Sequence, residues 1–239
     1  MHTLTVYPPG FSEPSGSPFC VKAMCLFQLS GLDWTPDFQN DPRKAPKAKF
    51  PVLHDAQNTI PDSDAIRDHL EACYDQDFDG GLSREQRATS RAIIRMVEEN
   101  LYFCLVFDRW VNEANWSKIR KILFGHIPFP LFIFVTHQVR KQALAALKGQ
   151  GMGRQSRGEV VARAGKDIAA VKVLLGDQAF LFGDRPTAAD ASVVPMLRAI
   201  TASPTPTELQ ALVTTDEDLM AYLDRGQAAM YPACTNQKI

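Results

Sequence analysis

The stretch Ser17-Pro18-Phe19-Cys20-Val21-Lys22 lies a short loop beyond the apolar run Thr3-Leu4-Thr5-Val6-Tyr7. Together they read as strand, loop and helix start. Ser is a good N-cap, Pro fits the first helical position, and Gly31 suits the residue that closes a helix. Cys20, Ala23, Met24 and Phe27 fall on one helical stripe, which predicts packing against a sheet. The Ser17 hydroxyl then sits where the unpaired N–H groups of the first turn and the positive end of the helix dipole converge. Such a place stabilises an anion, and a thiolate is an anion. The same geometry acidifies the first cysteine of a Cys-x-x-Cys redox motif. Ser17 occupies that position here, so the chain lacks a nucleophilic thiol of its own there and is suited to hold one that a ligand brings.

Working outward, residues 1 to about 77 alternate short apolar runs with helical runs: Leu4 to Tyr7, Pro18 to Ser30, Trp34 to Phe38, then Val52-Leu53-His54, a turn at Ala56-Gln57-Asn58 and a helix from Ser63 to Tyr74. Asp75 to Gly81 reads as an acidic linker ending in Gly-Gly. Everything from residue 82 to 239 reads helical. Ser83-x-x-Gln86, Ser156-x-x-Glu159 and Thr187-x-x-Asp190 are capping boxes, and Ile93, Met96, Val97, Leu101, Cys104 and Leu105 keep helical spacing. The expected architecture is a small α/β domain, residues 1–77, followed by an all-α domain, residues 82–239.

The bulk properties exclude several classes. With 239 residues, 45% hydrophobic and 22% charged, the chain suits one or two soluble domains. A net charge of -1 makes no overall electrostatic case for nucleic acid or anionic lipid. Cys20, Cys25, Cys73, Cys104 and Cys234 are odd in number and irregularly spaced, which argues against a disulfide framework or a metal site and fits a reducing compartment. Met1-His2-Thr3-Leu4-Thr5-Val6 lacks a basic leader before a long apolar core, so no signal peptide is expected. Ile127 to Val135, the most apolar segment, carries two prolines and is too short to span a bilayer; it reads as a loop entering a buried helix.

Two further motifs point to a ligand. In Lys49-Phe50-Pro51-Val52-Leu53 the proline cannot donate to a sheet, so the strand starts there as an edge or with a bend. A cis Phe50-Pro51 bond would turn the Val52 main chain outward, suited to gripping a peptide-like ligand by strand addition. Only roughly 5% of X–Pro bonds are cis, so residue statistics favour trans. In Ile60-Pro61-Asp62-Ser63-Asp64-Ala65-Ile66, Asp62 or Ser63 caps the following helix. Facing solvent, Asp62 would accept from a ligand ammonium, and Ser63 with the first helical N–H groups would receive a carboxylate. The same residues also serve as plain caps.

These three motifs, in this order, resemble the glutathione S-transferase superfamily. Gly149-Gln150-Gly151-Met152-Gly153-Arg154-Gln155-Ser156, Phe180-Leu181-Phe182-Gly183-Asp184-Arg185-Pro186-Thr187-Ala188-Ala189-Asp190-Ala191 and Met96-Val97-Glu98-Glu99-Asn100-Leu101-Tyr102 are similar to its failed-axon-connections branch, related to metaxins. The resemblance implies a thioredoxin-like N-terminal domain and an all-helical C-terminal domain. It implies that Ser17 stabilises the glutathione thiolate, that Val52 after a cis Pro51 pairs with the cysteinyl backbone, and that Asp62 and Ser63 hold the γ-glutamyl end. The superfamily more often has Glu at the place of Asp62, one methylene longer. Lys49 would meet the glycyl carboxylate or stand as a solvated charge in the basic loop 43–49. Cys20 takes the buried second-cysteine position and reads as core packing.

An electrophile pocket is expected between Ser17 and the helix after Ser83, with aromatics drawn from Tyr7, Phe11, Tyr102, Phe103, Phe107 and Trp110, about half of them core. Tyr7 is an alternative activating hydroxyl. Asp190 reads as a capping-box partner rather than a catalytic acid. The expected activity is conjugation of glutathione to a small apolar electrophile, with no metal, in the cytoplasm, and by analogy as a homodimer. The alternatives are a non-catalytic binding module of the same fold and a glutathione-dependent thiol reductase or peroxidase working through Cys20.

Overall fold

A computed structural model describes residues 2–232; Cys234 lies outside them. β1 (His2–Val6) leads through a loop into α1 (Pro18–Ser30), and β2 (Trp34–Phe38) returns parallel to β1. β3 (Val52–Asp55) runs antiparallel to β1, and β4 (Asn58–Pro61) antiparallel to β3, giving the order β2-β1-β3-β4. α2 (Ser63–Cys73) follows. This is the expected thioredoxin-like arrangement. Pro36 sits in β2, an edge strand, where a missing N–H costs the sheet nothing. β3, in contrast, is internal: the chain turns at Ala56, with φ 49°, and β4 covers its outer side. Pro51 therefore marks a bend and not an edge.

α1 opens with Ser17 extended (φ -118°, ψ 125°) and Pro18 in the first turn, and it closes on Gly31 at φ 67°. Its stripe residues Cys20, Ala23, Met24 and Phe27 are all buried, and Leu4 and Leu53 join them in one core that continues into the helical half.

The helical half contains α3 (Arg84–Met96), a π turn (Val97–Leu101), α4 (Tyr102–Trp110), α5 (Glu113–Phe124), α6 (Leu131–Gln150), α7 (Arg157–Leu175), α8 (Ala188–Thr201), α9 (Glu208–Thr214) and α10 (Glu217–Met230). The boxes at Ser83/Gln86, Ser156/Glu159 and Thr187/Asp190 all form. α8 is buried along nearly its whole length and packs on α1, so it joins the two halves.

Two segments differ from the reading above. Residues 75–81 are packed, not a free linker. Phe78 is buried and its carbonyl accepts from Ala188 N–H; Asp79 is buried between Arg67 and Ser90. Two of the acidic residues that suggested solvation are held from the flanking helices, Asp77 by Arg87 and Asp79 by Arg67 and Ser90. The start of α6 is likewise not a buried helix: Phe129, Leu131, Ile133 and Phe134 are all exposed, because no other element among the described residues covers them.

Candidate functional site

Three of the predicted motifs meet at the carboxyl end of β1. Val52 is opposite Thr5 near the end of that strand, and α1 starts from the loop that leaves it. Phe50-Pro51 is cis, as the resemblance implied and against the residue statistics. The Pro51 carbonyl accepts from the Asp62 N–H at 3.1 Å, which ties the second motif to the third. The residue opposite Val52 on β4 is Pro61, which has no N–H to give.

Asp62 holds φ 91°, ψ 135°, outside the helical and extended regions for an L-residue. Such a conformation costs on the order of 1–3 kcal/mol and persists where the surroundings fix it, commonly at ligand sites. Its carboxylate caps α2 by accepting from Asp64 N–H at 2.9 Å and is otherwise exposed. Ser63 is buried at the first position of α2. Lys49 is exposed at the end of the basic loop, while Arg43, earlier in that loop, is bound to Asp41.

Ser17 is half-buried at the N-cap of α1, yet its side chain makes no cap hydrogen bond. The helix that it opens therefore does not use the hydroxyl as a cap. Behind it Cys20 is fully buried. Burial pushes its thiol up to about 11, against the opposing influence of the Tyr7 main chain and the Ser17 and Ser15 hydroxyls. A thiol so placed stays protonated near neutrality. Tyr7 packs edge-on against Phe50 at 4.9 Å, and burial, reinforced by Cys20 and Tyr102, raises its phenol well above the ordinary value.

The predicted aromatics fall into two groups. Tyr102, on Phe19 at 4.8 Å and on Phe103 at 5.3 Å, lies with Tyr7 around the start of α1. Phe11 is instead buried with Trp116 and Ile119, under the Arg109 guanidinium at 4.4 Å, and Trp110 stacks on Trp116 at 5.0 Å. Phe107 is core. A cavity of about 480 Å³ opens beside this second group, lined by Phe11, Glu13, Ile122, Arg198 and Ala202 among others; Ser17 does not line it.

Sequence reading missed the charged cluster under the site. Lys22 is 1% exposed, with Nζ 2.8 Å from Asp64 Oδ1 and 2.6 Å from Glu98 Oε1. Arg91 and Arg95 also reach Asp64, Arg95 reaches Glu98, and Ser192 donates to Glu98. The π turn delivers Glu98 to this point. The available signal was a lysine among buried positions of α1 and a glutamate within the apolar run of 93–105, opposite charges in two elements that both face inward. Arg109, buried with Nη2 donating to the Ala199 carbonyl, gave no comparable signal.

A thioredoxin-like domain with a serine at its first helix start, joined to a helical domain, defines a class, and the comparisons specify it. Residues 18–115 match the glutathione S-transferase N-terminal domain and residues 164–226 the glutathione S-transferase C-terminal domain. The isoprene-epoxide–glutathione S-transferase of Rhodococcus sp. (strain AD45) is 32% identical over 94% of this chain and 97% of its own length. The chain belongs to the glutathione S-transferase family. Failed axon connections of Drosophila melanogaster is 30% identical over 74% of this chain and 44% of its own, and metaxin-1 of Mus musculus 28% identical over 89% and 70%. Among solved structures, glutathione transferase GSTFuA3 from Phanerochaete chrysosporium superposes with a TM-score of 0.68 at 17% identity, over 97% of this chain and 98% of its own, a likeness of fold. Among the described residues, no cluster of three or more His, Cys, Asp or Glu is arranged to hold a metal ion, and no helix is long and apolar enough to cross a membrane.

Proposed function

We propose that this chain binds glutathione and conjugates its sulfur to a small apolar electrophile. The observation that carries the proposal is Ser17: a hydroxyl at a helix start, not used in capping, in a domain that also holds a strained Asp62 with its carboxylate exposed. Asp62 and Ser63 would take the γ-glutamyl end, Val52 the cysteinyl main chain, and Lys49 the glycyl carboxylate. The first N–H groups of α1 and the Ser17 O–H would favour the thiolate over the thiol, releasing its proton to solvent. The sulfur lone pair then forms the new C–S bond. The bond to the leaving group, or the strained C–O bond of an epoxide, breaks onto the departing atom, and water supplies its proton. The relative named for isoprene epoxide supports an electrophile of that size. The cytoplasm and a homodimer are proposed with this function by family analogy alone.

Glutathione titration with thiolate absorbance as the readout tests the proposal. The wild type should show bound thiolate at neutral pH and Ser17→Ala should lose it while still binding the tripeptide. A fully protonated thiol in the wild type would overturn it. A non-catalytic binding module is the second reading, favoured by the likeness to failed axon connections and metaxin-1, neither of which is named a transferase. Absence of any glutathione-dependent rise in melting temperature would select it. Reduction through Cys20 is disfavoured, since a buried thiol pushed up to about 11 is a poor nucleophile.

A further inference from the structure

α5 and α6 form an antiparallel hairpin. Arg140 on α6 reaches Glu113 at the start of α5 (2.7 Å) and the Trp110 carbonyl (3.0 Å), whereas Arg120 lies 5.9 Å from the Phe132 ring toward the other end. The tip is therefore the last turn of α5, residues 125–130 and the first turns of α6. It is apolar and bare: Phe129 is 78% exposed, Phe134 62%, Ile133 55%, Leu131 53% and Ile122 47%. Five of the nine large exposed apolar side chains among the described residues gather here. Such residues scattered singly are ordinary; a contiguous patch marks an interaction surface.

The stretch of sequence that carries this tip has charge of one sign, although Arg140 and Arg157 within it pair with Glu113 and Glu208 outside it. Residues 114–158 hold eight lysines and arginines and no aspartate or glutamate, in a chain whose net charge is -1. The overall balance thus conceals a local excess. Lys121 lies on the last turn of α5, and Lys141 stands about three turns along α6 from Leu131. Both are exposed, and neither has an acidic partner among the described residues. An apolar point backed by a basic collar matches the boundary between acyl chains and anionic headgroups.

We propose that the α5–α6 tip docks on an anionic lipid surface, with Phe129, Leu131, Ile133 and Phe134 entering the interface and Lys121 and Lys141 meeting lipid phosphates. A second copy of the chain fits less well. An isologous contact would set this acid-free basic segment against itself. Nucleic acid would satisfy the lysines and leave the apolar tip in water. The attachment is peripheral, because Arg140, Lys141 and Lys148 interrupt α6 and it does not qualify as a membrane span.

Flotation with phosphatidylcholine vesicles, with and without phosphatidylserine, is the test. The full chain should float with the phosphatidylserine vesicles, less as salt rises, and remain below with phosphatidylcholine alone. Lys121→Gln with Lys141→Gln should lower partitioning roughly 25-fold, about fivefold for each lysine. Phe129→Ser with Phe134→Ser should abolish flotation while leaving the circular dichroism melt unchanged; if that pair fails to fold, Leu131→Gln with Ile133→Gln replaces it. A wild type that stays below with phosphatidylserine vesicles, or an aromatic pair that floats like the wild type, overturns the proposal. So does a wild-type dimer that the aromatic pair converts to monomer while vesicles stay unbound, which would make the tip a protein interface.

Discussion

Replacing Lys22 by Met removes the fully buried one of the two cations that bridge Asp64 and Glu98, the other being Arg95, at the junction of the two halves. The methionine fills nearly the same volume, so the loss is electrostatic. Breaking a buried pair from one side costs on the order of 3–5 kcal/mol, because the surviving charge is left without compensation. Here the survivors keep some partners: Arg95 Nη2 remains 2.6 Å from Glu98 Oε2 and 2.7 Å from Asp64 Oδ2, and Ser192 still donates to Glu98. The expected cost therefore sits at the lower end, about 3 kcal/mol. Urea unfolding followed by far-ultraviolet circular dichroism reads it as a fall in midpoint with an unchanged m value. Adding Glu98→Gln to Lys22→Met removes the stranded charge and keeps a group that Ser192 can bond, so the double variant should recover most of the loss and give a clear coupling energy. A loss below about 1 kcal/mol for the single variant, the size expected of an exposed pair, would refute the reasoning. So would a double variant that is less stable than Lys22→Met alone.

Asp64 sets an acid limit. Burial alone would raise its carboxyl, but Lys22, Arg91 and Arg95 override that and hold it at about 2. Its contribution of about 2 kcal/mol is complete above about pH 4 and is lost as pH falls through about 2, a dependence that Asp64→Asn should remove from the acid-unfolding curve. Asp190→Ala should cost about 3–5 kcal/mol, since Leu181 N–H, Thr187 N–H and the Tyr222 hydroxyl all donate to this buried carboxylate. Glutathione affinity of the folded fraction, measured by calorimetry, should not move; lost binding in well-folded protein would contradict the structural role. A Cβ at Gly226 would lie 2.6 Å from Val194 Cγ2, so Gly226→Ala should cost about 1–3 kcal/mol by thermal melting, and Val194→Ala beside it should return part of that.

The parts of this fold that could be read in advance are those with local causes. Ser17, Pro18 and Gly31 bracket α1 through capping and φ preference, and the boxes at Ser83, Ser156 and Thr187 open their helices through side chains three residues away. What escaped reading depends on partners remote in sequence. The strap 75–81 looks solvated until Arg67 and Ser90 are brought to Asp79. The apolar start of α6 looks buried until its neighbours turn out to cover only one side. At the site, Asp62 and Ser63 were legible as a cap, but the φ of 91° that distinguishes Asp62 from an ordinary cap is imposed by the Pro51 carbonyl and the sheet. Phe11 sits at a loop position with φ 59°, and no periodicity could assign it to the Trp116 cluster instead of the Tyr102 group.

The Lys22–Glu98 contact spans 76 positions of the chain. Recombination between homologues at any crossover inside that interval would inherit the base from one parent and the acid from the other. Gene shuffling that exchanges the amino-terminal lobe should yield foldable hybrids only where both parents carry this pair, or both lack it. A domain border that looks like a natural cut site is thus, for this chain, a poor place to splice.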